Sequence, residues 1–365
     1  MPEHSEDPEW RLRELRTRID AIDAQLQELL EKRATCAQEI AKAKHERAID
    51  PIFYRPERER QVLAQVAARH KGPLCKDDVL RIFREIMGAC LALEHKLVVA
   101  YFGPEGSFTE GALRKHFGGA VDALPVTTIA EVFRSVATKA ADFGVVPVEN
   151  SAEGIVSHTH DLFIQSSAVI VGEVVLRVHH QLMSQAAALQ DIKRVAAHPQ
   201  ALAQCREWIE HHLSNAEPVA VSNNAEAARR AAADPALAAI ASTEAAARWQ
   251  VPILACNIED APDNTTRFFV IGRDPVGPSG QDKTTLLLSA PHQAGSLHAL
   301  LEPFARRGIS LLRIESRPAR RALWEYVFFV DIAGHQVDSA IREALEELEA
   351  DGRVVRRLGS YPQAI

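Results

Sequence analysis

The stretch Leu97-Val98-Val99-Ala100-Tyr101-Phe102-Gly103-Pro104-Glu105-Gly106-Ser107-Phe108-Thr109 separates two kinds of sequence. Its first six residues form an unbroken apolar run, the pattern of a strand buried on both faces, and Gly103-Pro104 closes it. The glycine-rich turn that follows either offers backbone N–H groups to an anion at a helix start or is simply a tight turn. It matches neither GxGxxG nor the P-loop, so no nucleotide is expected. Downstream, short apolar runs recur at 144–148, 169–175, 195–197, 238–241 and 268–271, with helical patterns between them, as at 128–139 and 199–212. Strands alternating with helices predict an α/β domain.

Upstream the pattern is helical. Leu12, Leu15, Ile19, Ile22, Leu26 and Leu29 recur three and four residues apart, with Ile40 further on. A first helix is expected from about 9 to 44, before Asp50-Pro51, and would be roughly 50 Å long. A domain of about 90 residues cannot cover such a helix, so an intertwined homodimer, or a larger homo-oligomer, is expected. A second helix starts near Pro56 and a third covers 76–96, with Gly72-Pro73 between them. At the other end, 273–283 reads as a Gly- and Pro-rich linker. The remainder has the ferredoxin-like order β-α-β-β-α-β.

Composition sets limits on function. The 365 residues predict two or three domains at about 150 each. With 47% hydrophobic and 25% charged residues, ordinary packed cores are expected. No stretch nears the ~20 apolar residues of a membrane span, and the charged N-terminus lacks a signal core. A net charge of −7 disfavours nucleic acid. The five cysteines (36, 75, 90, 205, 256) are odd in number and lack CxxC spacing, as expected of reduced thiols in the cytoplasm. His158 and His160 form HxH beside Asp161, without the converging ligands of a metal site, so no metal or other cofactor is expected.

Several charges sit on apolar stripes. Arg33 shares the seam of Leu26, Leu29, Ala37 and Ile40, and Lys44 follows eleven residues later on nearly the same face. Arg58 shares a face with Val62 and Val66, and Glu94 lies in line with Phe83, Met87, Cys90 and Leu97. One such side chain would snorkel to solvent. Several cations turned into one helical core suit a small dianion. In the middle domain, Glu149-Asn150-Ser151 ends one strand, a placement suited to ligand contact. Asn264-Thr265-Thr266-Arg267-Phe268 precedes another, and its hydroxyls beside an arginine suit an anion or a capped turn.

Three resemblances gather these features. Leu15-Arg16, Glu31-Lys32-Arg33, Lys42-Ala43-Lys44 and Arg55-Pro56-Glu57-Arg58-Glu59 resemble the all-helical chorismate mutases over about 9–97. That resemblance implies Arg16 reaching into a partner's site. It also implies Arg33, Lys44 and Arg58 on the substrate carboxylates and ether oxygen, and Glu59 on the ring hydroxyl. Arg55 falls where an aspartate can occur, Cys90 where serine often stands, and Glu94 where a glutamine can donate a hydrogen bond. Glu94 would serve as such a donor when protonated, or would pair with a cation. GPEGSFT at 103–109, PVENSAEG at 147–154, HPQALAQC at 198–205 and TTRFFVIG at 265–272 resemble prephenate dehydratase. The implied fold is two α/β lobes like a periplasmic binding protein, with the second lobe at about 176–250. Thr266 would help the leaving hydroxyl and Arg267 would anchor a carboxylate. Glu149, Asn150, Ser151, Gln204, Thr265 and Phe268 would line the cleft.

Glu315-Ser316-Arg317-Pro318 matches the ESRP motif of ACT domains, and Gly295-Ser296-Leu297 stands in place of their GALV motif. The implied effector is phenylalanine, bound between two ACT domains. The expected order is a helical mutase domain at 1–96, a dehydratase domain at 97–273, a linker at 274–283 and an α+β ACT domain at 284–365. The implied family is bifunctional chorismate mutase/prephenate dehydratase, with chorismate and prephenate as substrates and feedback inhibition by phenylalanine. An arogenate dehydratase and a non-catalytic amino-acid sensor remain the alternatives.

Overall fold

The computed structural model describes residues 8–47, 52–290, 293–318 and 326–364. Helix α1 (Pro8–Arg47) is 40 residues long, about 60 Å at 1.5 Å per residue. Residues 8–33 are exposed throughout, including the seam residues Leu12, Ile19, Ile22, Leu26 and Leu29. Burial begins at Ala37 and Ala41. Helix α2 (Pro56–Arg69) starts on a proline, whose fixed φ suits the first helical turn. Leu63 and Val66 of α2 pack against Leu80 of α3 (Lys76–Glu94).

The first α/β sheet begins with β1 (Val98–Phe102), followed by α4 (Phe108–Phe117), β2 (Asp122–Val126), α5 (Ile129–Ala137) and β3 (Phe143–Asn150). Strand β1 pairs in parallel with β2 and β3. Then come β4 (Gly154–Ile155), α6 (Ser157–Gln165) and β5 (Val169–Arg177). A second sheet takes β6 (Gln181–Met183), β7 (Arg194–Ala197), α7 (Pro199–Gln204), α8 (Arg206–His212), β8 (Glu217–Ala220), α9 (Asn224–Ala231), β9 (Leu237–Ala241), α10 (Thr243–Trp249) and β10 (Ile253–Ala255). The chain returns as β11 (Thr265–Gly272), antiparallel between β3 and β5. The orders are β2-β1-β3-β11-β5 and β10-β6-β9-β7-β8. The single helix expected over 199–212 is broken at Cys205. There the Asp260 carboxylate accepts from the N–H groups of Glu207 and Trp208 and starts a new helix.

The C-terminal sheet comprises β12 (Asp282–Ala290), α11 (Ser296–Arg306), β13 (Leu311–Pro318), β14 (Tyr326–Ala333), α12 (Ser339–Ala350) and β15 (Val354–Pro362), in the order β13-β14-β12-β15. The strand that the sequence predicts near 324–331, the third of this domain, begins at Tyr326, and 324–325 lie outside the described residues. Period-2 alternation gives the sheet two apolar faces. Leu286, Leu288, Val330 and Ile332 meet the two helices. Leu287, Val327, Phe329, Leu358 and Tyr361 instead share a core with Phe163, Ile170 and Phe269 of the first lobe. Each such side chain contributes about 1.5–3 kcal/mol on burial, so the sheet is fused to the lobe rather than tethered to it. Gly359 lies so close to β5 that a Cβ would collide with the Ile170 carbonyl.

The helical unit joins the first lobe through Tyr54, whose hydroxyl meets His116 Nε2 at 3.0 Å. Burial pushes the His116 pKa down to about 3, so the ring is neutral where it meets the tyrosine. An unfolded histidine takes up a proton near pH 6.5, which the folded ring refuses. Stability from this group is therefore intact above pH 6.5. Acidification should erode it by up to ~1.4 kcal/mol per pH unit. His116→Gln keeps a neutral hydrogen-bonding group and should flatten this loss, measured as urea unfolding at neutral and acidic pH. His160 and His180 shift in the same direction but remain in both proteins, so the difference isolates His116. Equal slopes would contradict this account.

Candidate active sites

The C-terminal third of α1, with α2 and α3, encloses a cavity of about 450 Å³. Its walls carry Arg33, Lys44, Arg55, Arg58, Glu59, Cys90 and Glu94, all singled out from the sequence. Lys44 Nζ donates to the Phe53 carbonyl at 3.1 Å and to Glu94 Oε2 at 2.7 Å. In the free site Glu94 thus accepts from the ammonium, the cation pairing that stood as the alternative to a donor role. Arg33 donates to the Ile86 carbonyl at 3.4 Å. Burial raises the Glu59 pKa, opposed by the adjacent Arg84 guanidinium and by Tyr54.

Arg84, 3.5 Å from Glu59, also lines the cavity and was not singled out. The available signal was its place on α3, one residue beyond Phe83 and ten before Glu94. Five cations against two carboxylates suit a dianionic ligand. Phe117, Ala120 and Val121 of the first lobe form the remaining wall. Arg16 does not line this cavity. It is exposed on α1, seventeen residues before Arg33, or roughly 25 Å along the axis.

A second cavity, of about 440 Å³, lies between the two lobes. Asn150, Thr266 and Phe268 line it from the first lobe, and His180, His198 and Gln204 from the second. Asn150 Nδ2 donates to Thr266 Oγ1 and to Asn264 Oδ1, both at 2.8 Å. No Lys or Arg among the described residues lines this cleft. Positive potential comes instead from helix ends, because the N-cap residues Ser107 of α4 and Asn223 of α9 both face the cleft. Their side chains accept from Glu110 N and Glu226 N, which leaves the earlier first-turn N–H groups for an anion.

Four residues expected in this cleft lie elsewhere. Successive side chains on a strand face opposite ways, so with Thr266 and Phe268 in the cleft, Arg267 faces the C-terminal sheet. It donates to Glu173 Oε2 at 2.9 Å, Asp331 Oδ2 at 2.6 Å and the Tyr361 hydroxyl at 3.1 Å. Burial opposes its charge, but Tyr361, Asp331 and Glu173 outweigh that and hold its pKa above the ordinary value. Arg267 as carboxylate anchor is therefore corrected to Arg267 as an interface ion. Glu149, beside Asn150 on β3, likewise turns away and pairs with Arg313 of β13. Thr265 and Ser151 do not line the cleft. They join the end of β3 to the start of β11, the Thr265 N–H donating to Ser151 Oγ at 2.9 Å.

The residues of the implied effector site fall on two elements. Gly295, with φ +83°, precedes α11, which Ser296 begins and on which Leu297 is exposed. Glu315, Ser316, Arg317 and Pro318 end the edge strand β13, with Ser316 and Pro318 on its exposed face. Arg317 faces the first lobe and donates to Ser157 Oγ at 2.7 Å and Asp161 Oδ1 at 2.8 Å.

Comparison with known proteins matches three family models in order: chorismate mutase type II over 15–95, prephenate dehydratase over 99–276 and ACT domain over 284–350. The bifunctional chorismate mutase/prephenate dehydratase of Pseudomonas aeruginosa is 49% identical, covering 97% of this chain and 98% of that protein. A prephenate dehydratase from Arthrobacter aurescens, solved in complex with L-Phe, is 36% identical. It covers 73% of this chain and 90% of that one, with a TM-score of 0.67. A structure described as a novel type of quorum quenching acylase has the same TM-score at 31% identity, covering 73% of this chain and 98% of that one. One fold thus hosts more than one named activity, and the cleft residues decide the chemistry. Two enzyme domains and a ligand-sensing type of domain share one polypeptide here. The chain belongs to the bifunctional chorismate mutase/prephenate dehydratase family.

The interface role of Arg267 has a measurable consequence. Arg267→Gln leaves Glu173 and Asp331 buried with less compensation, and breaking such a cluster costs about 3–5 kcal/mol. The variant should unfold at markedly lower urea concentration. Unchanged stability would return Arg267 to the list of candidate ligand residues.

Proposed function

We propose that the helical cavity rearranges chorismate to prephenate and that the interlobe cleft converts prephenate to phenylpyruvate. The observation that carries this reading is the pair of sites themselves, one crowded with cations and the other lacking them. The first reaction is pericyclic and needs no proton transfer. It needs a dianion held folded and charge stabilised on the breaking ether oxygen. Arg33, Arg58 and Arg84 hold carboxylates, and Lys44 donates to the ether oxygen after exchanging Glu94 for substrate. In the second reaction, the electron pair of the ring C–CO2 bond enters the ring while the C–OH pair leaves on oxygen. Prephenate dianion gives CO2, hydroxide and phenylpyruvate monoanion, so charge is conserved. The departing carboxylate becomes neutral, and a fixed cation beside it would stabilise the ground state more than the transition state. A cleft without Lys or Arg suits that requirement, with helix N-termini for the retained carboxylate and Thr266 for the leaving hydroxyl.

The exposed apolar seam of α1 supports pairing with a second copy, which would bring its Arg16 to this cavity. Phenylalanine acts as effector through the C-terminal sheet and its Glu315–Pro318 segment. Unpaired cysteines among the described residues support a cytoplasmic setting.

Three expectations test this reading. Arg33→Ala should lower prephenate formation by about a hundredfold or more while added prephenate is still dehydrated, and Thr266→Ala should do the reverse. Loss of both activities in either folded variant would refute two separate sites. Glu94→Gln releases Lys44 from a competing carboxylate. It should raise mutase kcat/KM near neutral pH and flatten any rise on acidification; lower values throughout would contradict the pairing argument. Arg317→Ala should weaken phenylalanine inhibition more than it alters uninhibited turnover, and unchanged inhibition would count against an effector site at this strand.

A further inference from the structure

The proton directions behind Thr266 can be assigned outward from the backbone. The N–H groups of Ala152 and Glu153 can act only as donors, and both reach Asn150 Oδ1, at 2.9 and 3.1 Å. That atom is therefore the amide oxygen, and Nδ2 is the group that donates to Thr266 Oγ1 and Asn264 Oδ1. Asn264 Oδ1 is thus an acceptor, so its Nδ2 is the atom that lies 3.4 Å from Gln204 Oε1. Gln204 Oε1 in turn accepts, so His180 Nε2, at 2.8 Å, must carry a hydrogen. Two backbone amides thus remove the flip ambiguity of three side-chain amides and the tautomer ambiguity of one histidine.

Two free donors result. Thr266 Oγ1 already accepts from Asn150, so its own proton is left for a ligand in the cleft. Gln204 spends its oxygen on His180 and Asn264, so its NH2 group is left for the same space. His180, 2% exposed, keeps Nδ1 bare and without a partner. Burial lowers its pKa, and a proton at Nδ1 would create a buried, unsatisfied donor.

We propose that Asn150 and His180 are positioning residues of the dehydratase cleft. The backbone-anchored Asn150 amide turns the Thr266 proton toward the departing hydroxyl. The Nε2–H tautomer of His180 turns the Gln204 amide so that its NH2 meets a substrate carboxylate. This rests on the reading of Thr266 as the group that serves the leaving hydroxyl.

Asn150→Asp is the decisive variant. Its carboxylate still accepts from the 152 and 153 N–H groups, but when ionised it draws the Thr266 proton to itself. Dehydratase kcat should fall by about a hundredfold at neutral pH with little change in KM. It should recover as pH falls and the introduced carboxyl becomes a donor again. Glu153, His180 and His198 are the ionisable side chains that line this cleft, and the parent profile, measured alongside, accounts for them. For His180, a leucine replacement should raise KM by about tenfold while His180→Gln, which retains a donor, restores it. Thr266→Ala separates the layers. If it stays active, the reading of Thr266 falls. If it is inactive while folded Asn150→Asp matches the parent, or is low at every pH, the positioning proposal falls. Equal KM values for His180→Leu and His180→Gln would overturn the His180 assignment, even if Asn150→Asp failed to fold.

Discussion

Arg267 carries its charge into a space where Glu173 and Asp331 are 4% and 5% exposed and Tyr361 is fully buried. Removing a guanidinium from water costs several kcal/mol unless its hydrogens find acceptors. Here β5 supplies Glu173, β14 supplies Asp331 and β15 supplies the Tyr361 hydroxyl. Lys283 of β12 meets the other Glu173 oxygen at 2.7 Å. The cluster fixes the register of β11 as firmly as its ladder bonds do. A slip by one residue would drive Arg267 into the cleft and bury the Thr266 hydroxyl among carboxylates. The placement of the cleft residues thus depends on an ion cluster that no cleft ligand touches.

The two anion sites solve different electrostatic problems with different materials. In the helical cavity, cations on long flexible stems line the space, which suits the proposed reaction, in which charge migrates toward an ether oxygen. Glu59 and Glu94 offset part of the cationic charge through Arg84 and Lys44. In the cleft, fixed dipoles replace ions. A helix terminus offers roughly half a charge and cannot follow a departing group, which suits a reaction in which one carboxylate must cease to be an anion. Such a site works by preorganisation, and a network of amides whose directions are set by the backbone provides it.

Much of this was legible in the chain, for identifiable reasons. Helical periodicity and the eleven-residue spacing of Arg33 and Lys44 placed both in one cavity, because helix geometry converts spacing into facing. The strand–helix alternation after Leu97 and the order of the C-terminal elements were equally direct. The errors came where a motif was read as one contiguous patch. TTRF and PVENS are strands, so neighbouring residues serve opposite faces, and period 2 applied to Thr266 would have sent Arg267 and Glu149 outward. What lay on that outward face, Asp331, Tyr361 and Arg313, is 64 to 164 residues away in sequence and carried no local signal. Arg84 escaped because its place on α3, next to Phe83, does not by itself show that it meets Glu59 of α2. The break at Cys205 depends on Asp260, which only tertiary structure brings to that helix.

These same contacts show where the molecule is stiff and where it is soft. Helix α6 is gripped at both ends by the C-terminal sheet. Arg317 holds Ser157 and Asp161 near its start, and Arg356 donates to the carbonyls of Phe163, Ile164 and Ser166 at its end. With the shared apolar core and the Arg267 cluster, first lobe and sheet can separate only by exposing several large side chains at about 1.5–3 kcal/mol each. The second lobe is held to the first more lightly. Ser242 donates to the Gly106 carbonyl at 2.9 Å, and Arg248 pairs with Glu105 at the surface, a contact worth about 0–1 kcal/mol. The cleft thus has Thr266 and Asn150 on the firmly held side and Gln204 on the side with fewer strong contacts. The amide relay crosses between the lobes at its longest link, the 3.4 Å contact from Asn264 to Gln204. A ligand at the C-terminal sheet shifts an equilibrium only by binding one conformation more tightly than another.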